Sequence, residues 1–330
     1  MKLSVIIAVY NTAANNCLEF CLDSLVNQTF LKKGGEMEII AVDDHSTDNS
    51  MDILRFYESS YPEFFHVYQT EKNSGPGTAR NLGFKHAKGE WITYIDSDDW
   101  VSPDCYEKVF AAERGGVDTI AFSYSRVNQH TFTPGVPVHH EGLLNPGIMN
   151  DERYKAMLID GGPFVTKVVK RRVFFGDESV NKDCKVFPED LFFVEDNAVA
   201  FSLRLKIKRF VYIPQPMYFY LMRPGSLTHS VSERHIENRW RSCHMILEIA
   251  QREGNLQKYP VEFEYGFSTL FTVNTINYLM PYIFQGKREL FKSIIEEQKR
   301  IFPNFQNNPY YQRRVDPNAR GLVRLLMEIL

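Results

Sequence analysis

The first 125 residues alternate short apolar runs with stretches in which apolar residues recur at helical spacing. Runs such as residues 3–9 and 91–95 have the length and composition of buried strands. Pro76 stands where a proline commonly opens a helix. Strands that alternate with helices predict an α/β fold with a mostly parallel central sheet flanked by helices. The predicted strands are residues 3–9, 37–42, 65–70, 91–95 and 118–124.

The pattern changes after residue 125. Residues 126–150 carry prolines, glycines and histidines without a clear period, which predicts a loop region. A mixed region follows to about residue 220, and helical patterns then dominate. We therefore predict domain boundaries near residues 125 and 230, with a mainly helical C-terminal extension over residues 231–330. Its predicted helices are residues 233–253, 262–284, 286–302 and a basic amphipathic segment at 318–327.

Composition indicates a globular protein. The chain has 330 residues, of which 44% are hydrophobic and 24% charged. No run approaches the roughly 20 apolar residues of a membrane-spanning helix. The apolar run at residues 3–9 is too short for a signal peptide, so we expect a strand there. Five cysteines, an odd number without metal-type spacing, predict reduced thiols in the cytosol.

Charge is spread unevenly along the chain. Residues 1–150 have a net charge of −9, and residues 151–330 have a net charge of +6. A basic second half suggests an anionic partner such as a diphosphate, an anionic glycan or a membrane surface. The alternative is that long basic side chains only solvate the helices, and the sequence leaves both interpretations open.

Polar residues follow four of the predicted strands. Asp96 and Asp98 come directly after an apolar run, and two such acids can hold a divalent cation that grips a diphosphate. Asp43 follows the second strand, where a carboxylate can accept a hydrogen bond from a base N–H. Tyr10 offers a ring for stacking, and Arg80 follows a glycine-rich loop. Since parallel strands end at one edge of a sheet, one crevice can collect all four segments.

Together these segments resemble family 2 glycosyltransferases of the GT-A fold. Their order and spacing are specific, and the resemblance covers about residues 1–125. Ala8 stands where the family usually has proline, and His45 where it usually has glycine. Neither change removes a liganding group, although His45 could change the turn after Asp44. The matching segments are residues 4–11, 21–29, 42–48, 77–83 and 94–99.

The resemblance implies roles for individual residues. Tyr10 and Asp43 would contact the nucleotide base, usually uracil, and Arg80 would lie near the diphosphate or hold the acids in place. Asp96 would contact the ribose or the metal, and Asp98 would bind the Mn²⁺ or Mg²⁺ that neutralises the departing UDP. The implied metal ligands are Asp98, Asp96 and His229. The implied nucleotide-sugar contacts are Val9, Tyr10, Asn11, Asp43, Asn73, Gly75, Arg80, Asp96, Ser97, Arg223 and Ser226.

The second half carries a looser match. Residues 187–197 resemble the family's Glu-Asp element, in which the aspartate is the general base that takes the proton from the acceptor hydroxyl. Asp196 is the predicted base because a helical pattern follows it, and Asp190, in the same dipeptide six residues earlier, is the alternative. Residues 161–167 lie where relatives place a lysine near the acceptor pocket, but the usual tryptophan is absent here.

The resemblance implies an inverting, metal-dependent glycosyltransferase. It would move a sugar from a UDP-sugar to a hydroxyl of a glycan or lipid-linked glycan, in cell-surface polysaccharide or lipopolysaccharide biosynthesis. Residues 1–125 would bind the nucleotide sugar, residues 126–230 would bind the acceptor and supply the base, and residues 231–330 would form a helical region. We expect a cytoplasmic protein without a nucleic-acid partner. Its C-terminal region could contact the inner face of the cell membrane or build a homodimer.

The same residues bear on three other functions. A sugar nucleotidyltransferase also joins a nucleotide and a sugar, but the acids at residues 43–44 and 96–98 together suit transfer from a finished donor. An NAD-dependent oxidoreductase would use residues 75–77 as its dinucleotide loop, yet Arg80 stands where that fingerprint needs a third glycine. A non-catalytic glycan-binding relative has no support, because every expected acid is present.

Overall fold

The computed structural model describes residues 1–175, 185–189, 191–222, 233–279 and 288–329. The chain divides into two compact units, Met1–Ser226 and Leu227–Leu330. The three-part division of the chain expected from the sequence stays a prediction. Within the described ranges, no helix has both the length and the apolar character needed to cross a membrane.

The first unit is built on a ten-stranded sheet. Its strand order is β3-β2-β1-β4-β9-β6-β10-β5, with β7 beside β6 and β8 beside β10. Strands β1 to β4 pair in parallel, as do β6 and β10, which confirms the mostly parallel α/β sheet. The strands in chain order are β1 (Leu3–Val9), β2 (Met37–Asp43), β3 (Phe65–Gln69), β4 (Trp91–Asp96), β5 (Trp100–Val101), β6 (Thr119–Val127), β7 (Pro137–Val138), β8 (Gly147–Ile148), β9 (Lys167–Lys170) and β10 (Arg209–Leu221).

Helices cover both faces of this sheet. Alternate residues of β1 point to opposite faces, so Val5 and Ile7 join one core cluster and Ile6 joins another. Because both faces are covered, β1 and β2 are apolar almost throughout. Cys21 and Cys105 are buried free thiols, as predicted. The helices are α1 (Cys17–Val26), α2 (Thr29–Lys32), α3 (Ser50–Ser60), α4 (Pro76–His86), α5 (Cys105–Ala111), α6 (Asp151–Asp160), α7 (Arg171–Phe175) and α8 (Glu195–Lys206).

Five of the ten strands are not predicted by the hydrophobic pattern. Three of them, β5, β7 and β8, have only two residues, and β7 and β8 lie in residues 126–150, where a loop region was expected. The other two are β9 and β10. β9 has only four residues, and it pairs antiparallel with β4 and β6, both distant in sequence. β10 contains two prolines, and its register with β6 shifts on either side of Pro216. Proline cannot donate to a strand ladder, so sequence rules argue against a strand here. Since β9 is antiparallel to both β4 and β6, those two strands run in the same direction.

The second unit is helical in its described parts. Its helices are α9 (Glu233–Arg252), α10 (Asn255–Lys258), α11 (Pro260–Phe267), α12 (Asn274–Leu279), α13 (Arg288–Ile301), α14 (Pro309–Arg314) and α15 (Pro317–Ile329). The single helix expected over residues 262–284 is interrupted by a π-helical turn, Ser268–Val273. There Thr272 donates to the Gln298 side chain at 2.6 Å, and Gln298 donates to Ser268 Oγ at 3.1 Å. This buried polar network fixes the wider turn, which apolar spacing alone does not predict.

Helix α15 packs one side into the core of its unit. Val323 and Leu326 are buried in that core, whereas Leu325 is 51% exposed and Ile329 is 55% exposed. Core packing therefore accounts for part of the apolar face of this helix. The membrane contact and the homodimer expected from the sequence stay predictions.

Candidate active site

The carboxyl ends of β1 to β4 form one edge of the sheet. The register places Val9 beside Asp43, Ala8 beside Asp96, and Asp43 beside Gln69. Polar side chains that follow these strands therefore meet at one crevice, which is where open α/β sheets bind ligands.

Asp43 is a buried acid with one oxygen left over. Its Oδ2 atom accepts hydrogen bonds from the Ser46 N–H and from the Gln69 side-chain amide, both at 3.0 Å. Its Oδ1 atom is buried and has no hydrogen-bond partner among the described residues. A buried carboxylate oxygen without a donor is costly, so this atom is a candidate acceptor for an N–H group of a ligand.

Asp44, the next residue, is used within the protein. Its carboxylate accepts hydrogen bonds from the Thr70 hydroxyl at 2.8 Å, the Ser74 N–H at 3.0 Å and the Gly75 N–H at 2.7 Å. Burial raises the pKa of Asp44, although these three donors favour its charged form and oppose the shift. Gly75 has a φ of +89°, which glycine adopts without strain. Asp44 therefore shapes the loop between β3 and α4, while the exposed Asn73 remains open to solvent.

His45 lies in the left-handed backbone region, with a φ of +61°. Glycine, the family's usual residue here, reaches this region without strain, whereas a side chain makes it costly. The His45 Nδ1 atom is 3.4 Å from the Thr70 carbonyl oxygen. The turn after Asp44 thus takes a glycine-like backbone in spite of the substitution.

The helix after this turn begins later than expected. The hydroxyls and carboxylate of residues 46–48 predict a helix start, but α3 begins at Ser50. Asp48 accepts hydrogen bonds from the N–H groups of Ser50 and Ala13, each at 3.0 Å. Asp48 therefore joins the loop after β1 to the start of α3. The N–H groups of Ser46 and Thr47 stay outside the helix and donate to Asp43 and Asn11.

The turn after β1 exposes one ring. The side chain of Val9 is buried in the core, and its carbonyl accepts the Asp44 N–H at 2.7 Å. The Asn11 side-chain oxygen accepts the Thr47 N–H at 2.8 Å, so this asparagine ties the loops after β1 and β2 together. Tyr10 is 46% exposed. Its ring is therefore the part of this turn that a nucleotide base can reach.

Arg80 joins acids from two different elements. It is buried on α4, where its Nη2 atom donates to Asp96 Oδ1 at 2.9 Å and its Nη1 atom bonds to Glu195 Oε1. Burial alone lowers the pKa of an arginine, but the carboxylates of Glu195, Asp96 and Asp196 outweigh it and raise the pKa of Arg80. Of the two roles implied for Arg80, its contacts match that of holding the acids in place.

Two residues of the segment after β4 anchor its turn. Ser97 is buried, and its Oγ atom lies 2.8 Å from the Thr12 hydroxyl. Asp99 is also buried and accepts hydrogen bonds from the Tyr218 hydroxyl at 2.6 Å and from the Leu221 N–H at 2.9 Å. Burial and two neighbouring aspartates raise the pKa of Asp99. The turn is therefore fixed before any ligand binds.

Asp96 and Asp98 are the accessible acids of this segment. The Asp96 side chain is 38% exposed, and Asp98 is partly exposed. In the described ranges, no three His, Cys, Asp or Glu side chains form a group that could hold a metal ion. His229, the third predicted ligand, lies outside those ranges. Two accessible carboxylates nonetheless fit a hard divalent cation whose other ligands are phosphate oxygens and water.

Helix α8 begins with two acids. Glu195 is buried, and burial raises the pKa of Glu195 to about 7, with Arg80 opposing and Asp196 adding to the shift. Burial also raises the pKa of the partly exposed Asp196, with Arg80 again opposing and Asp96 adding. The preceding Val194 has a φ of +57°, which is unusual for a β-branched residue. Carboxylates from β4 and α8 thus form one electrostatic group around Arg80.

Asn81 holds the segment that leads into α8. Its side-chain amide donates to the Phe187 carbonyl at 2.9 Å and accepts the N–H groups of Val186 and Phe187 at 2.9 and 2.8 Å. Neither Asn81 nor Glu195 is among the predicted site residues. Each is adjacent in sequence to a predicted one, Arg80 or Asp196, and that adjacency was the available signal.

Lys167 contacts its own loop. It is buried, and its Nζ atom donates to the carbonyls of Pro163 at 2.6 Å and Gly162 at 3.2 Å. Burial, with the nearby Arg204, lowers the pKa of Lys167 well below its ordinary value. Four other expectations fall outside the described residues: Arg223, Ser226, His229 and the alternative base Asp190.

The fold and this crevice define a class of enzyme. The family model described as Glycosyl transferase family 2 matches residues 4–174, slightly more than half of the chain. The protein belongs to this family of glycosyltransferases, which confirms the family and the enzyme class expected from the sequence. The nucleotidyltransferase and oxidoreductase alternatives are set aside by this assignment.

Relatives with known names narrow the comparison. The poly(ribitol-phosphate) beta-glucosyltransferase of Bacillus spizizenii is 33% identical over 230 residues, which cover 68% of this chain and 32% of the relative. The chain thus spans about a third of that enzyme's length. S. aureus TarS 1-349 has a TM-score of 0.68 at 21% identity, covering 99% of this chain and 90% of that one. Its complex with UDP-GlcNAc has a TM-score of 0.61 at 24% identity, covering 99% and 91%, and both structures show a shared fold.

Proposed function

We propose that the protein is an inverting glycosyltransferase that moves a sugar from a UDP-sugar to a hydroxyl of a cell-surface glycan acceptor. The observation that carries the proposal is the group around Arg80, which bonds to Asp96 at the end of β4 and to Glu195 at the start of α8. Arg80 thereby joins Asp96, an acid suited to holding the donor, to helix α8, which carries the proposed general base Asp196. The UDP-GlcNAc complex of TarS and the name of the Bacillus spizizenii relative support the donor and acceptor classes.

Recognition of the nucleotide base would rest on Asp43 and Tyr10. Uracil carries an N3–H that can donate to the Oδ1 atom of Asp43, which no described residue contacts by a hydrogen bond. Cytosine has an acceptor nitrogen at that position, which a carboxylate disfavours. The exposed ring of Tyr10 would stack on the base. This pairing predicts that the protein prefers UDP to CDP.

Asp196 would act as the general base in a single displacement. It takes the proton of the acceptor hydroxyl, whose oxygen forms a bond to C1 of the donor sugar. The bond between C1 and the diphosphate oxygen breaks, and its electron pair leaves with UDP. One displacement at C1 inverts its configuration. Arg80 opposes the rise in the pKa of Asp196, which helps to keep this carboxylate ready to accept a proton.

Asp96 and Asp98 would hold the Mn²⁺ or Mg²⁺ expected from the resemblance. Such an ion, when bound, supplies positive charge against the diphosphate that leaves. Arg80 already fixes one oxygen of Asp96, and the anchors at Ser97 and Asp99 fix the turn between these acids. The chain therefore orients the Asp96 carboxylate, and the turn that carries Asp98, in advance. The lipid-linked acceptor, the cytoplasmic location and the membrane contact stay predictions.

Calorimetric titration with UDP and CDP tests the proposal. The wild-type protein should bind UDP at least about tenfold more tightly than CDP. Asp43→Asn should narrow this preference, because an amide can turn its NH₂ toward the acceptor nitrogen of cytosine. Asp52 is an exposed acid on α3, so Asp52→Asn is the matched control and should keep the preference for UDP over CDP. Equal affinity of the wild type for UDP and CDP would contradict the proposed donor.

A further inference from the structure

A cavity of about 570 Å³ lies at the carboxyl ends of β6 and β10. Because β6 runs in the direction of β4, this cavity lies at the sheet edge that also carries Asp96 and Asp98. None of the described residues proposed to hold the nucleotide sugar lines it. Its volume is in the range of small-ligand sites. The lining residues used below are Arg126, Asn128, Gln129, Thr131, Thr133 and Met222.

The walls of the cavity are fixed to the segment that follows β4. The Trp100 indole N–H donates to the Thr131 carbonyl at 2.8 Å. On the other wall, the Met222 N–H donates to the Val127 carbonyl at 2.7 Å, and the last residue of β10 donates to Asp99. The cavity is therefore built into the fold, and two hydrogen-bonded connections join it to the proposed metal-binding turn.

The lining has a distinct chemistry. Among the described residues, Arg126 is the one charged residue that lines the cavity, and no carboxylate does. The side chains of Arg126, Asn128 and Gln129 make no hydrogen bond or ion pair with any other described residue. A guanidinium fork suits a phosphate, and neighbouring amides and hydroxyls suit a hydroxyl-bearing chain.

We propose that this cavity binds the acceptor as an anionic polyol chain, in which hydroxyl-bearing units are joined by phosphodiesters. Arg126 contacts a phosphate of this chain, and Asn128 and Gln129 contact its hydroxyls. The inference rests on the proposed function and narrows the acceptor to a phosphate-bearing class. Arg126 is accordingly a specificity-determining residue, since a neutral glycan leaves its charge without a partner.

The test uses ribitol 5-phosphate and ribitol as probes on the full chain saturated with UDP. Wild-type protein should bind the phosphate at least about tenfold more tightly than the neutral polyol, as measured by calorimetry or NMR titration. Arg126→Gln should abolish that preference. Arg114→Gln is the matched control, because Arg114 is also exposed, has no side-chain partner among the described residues, and precedes β6 at its opposite end. UDP affinity, measured first, should be equal in all three proteins.

The outcomes separate this inference from the proposed function. If Arg126→Gln keeps the wild-type preference, or the wild type binds UDP but does not prefer the phosphate probe, the inference is wrong. The proposed function then stands, because UDP recognition depends on Asp43 and not on the cavity. If UDP itself does not bind, the proposed function fails and the inference fails with it.

Discussion

The two halves of the sheet bring polar side chains to one edge in different ways. In the half built on β1 to β4, which we propose binds the donor and call the donor half, loops after β1, β2 and β3 are bonded to one another through Asn11, Asp44 and Asp48. In the other half, the side chains of Arg126, Asn128 and Gln129 line a cavity and have no partners among the described residues. A nucleotide is the same molecule in every reaction cycle, so a prebuilt site suits it. In the proposed acceptor cavity the backbone is fixed as well, but the polar side chains are left available to the ligand.

Asp43 and Asp44 show the same contrast on a smaller scale. The Asp44 carboxylate accepts hydrogen bonds from three donors of one loop. The Oδ1 atom of Asp43, in contrast, is buried and has no partner among the described residues. Identical chemistry in adjacent positions therefore serves structure at Asp44 and, in our proposal, ligand binding at Asp43. Substitutions can test this separation, beginning with the largest expected effect.

Asp196→Asn should have the largest effect. Turnover should fall by about 10³-fold because the general base is lost, while UDP affinity stays close to that of the wild type. Initial rates of UDP release and a UDP titration measure the two quantities on one preparation. Asp190→Asn is the control and should keep most of the turnover. If Asp196→Asn kept most of it instead, the base would have been assigned to the wrong residue.

Arg80→Met should cost about 3 kcal/mol in the free energy of unfolding, because it leaves Glu195 buried without its ion-pair partner. Urea denaturation measures this loss. Arg80→Met/Glu195→Gln should recover part of the stability, since the buried charge is removed, but not the activity. If Arg80→Met were as stable as the wild type, the ion pair between Arg80 and Glu195 would not hold the two parts of the site together.

Asp44→Asn should lower the free energy of unfolding by about 1–2 kcal/mol, because an amide cannot accept all three loop donors. Asp43→Asn should leave stability within about 0.5 kcal/mol of the wild type, because its one oxygen accepts two donors that an amide oxygen can keep. The pair thus separates a structural acid from a ligand-binding acid. The reverse order of effects, measured by urea denaturation, would overturn the comparison.

Glu297 in the helical unit offers a pH-dependent effect away from both halves of the sheet. Arg300, with Trp240 and His244, outweighs burial and lowers the pKa of Glu297 from 4.5 to about 2. A lowered pKa adds stability above pH 4.5, and this contribution is lost as the pH falls toward about 2. Glu297→Gln should therefore cost about 1 kcal/mol at pH 7, after allowance for solvent screening, and much less at pH 2.5. A difference from wild type that is independent of pH would contradict the assignment.

His45→Gly should have the smallest effect. Glycine adopts a φ of +61° without strain but loses more backbone entropy on folding, so a gain of about 0.5 kcal/mol is expected. Thermal unfolding measures the change, with UDP affinity unaltered. A loss of stability would show that the contact between His45 and the Thr70 carbonyl outweighs the backbone strain.

The sequence predicts the donor half well because its signals are local. Each apolar run there is followed by its own helix, and Pro76 opens α4 as predicted. Strand β9 escapes prediction because four residues without alternation become a strand only through pairing with β4 and β6. Strand β10 is also missed, because its two prolines argue against a strand in the sequence. In the fold it nevertheless pairs with β6, with register shifts around Pro216.

The same limit applies to the site. Motifs identify Asp43, Asp96 and Asp196 as acids of interest, but not which oxygen is left without a partner. Arg80 and Glu195 are 115 residues apart in the chain, and only folding brings their charges together. Burial then raises the pKa of Glu195 to about 7, a property of the packed site that no short segment contains.

The stereochemistry of the reaction tests the central claim most directly. Cleavage of an α-configured UDP-sugar can be followed in real time by ¹H NMR, with water or a polyol phosphate chain as acceptor. A single displacement assisted by Asp196 predicts that the product first appears in the β configuration. A product that first appears in the α configuration would contradict single displacement and the role of Asp196 as its general base.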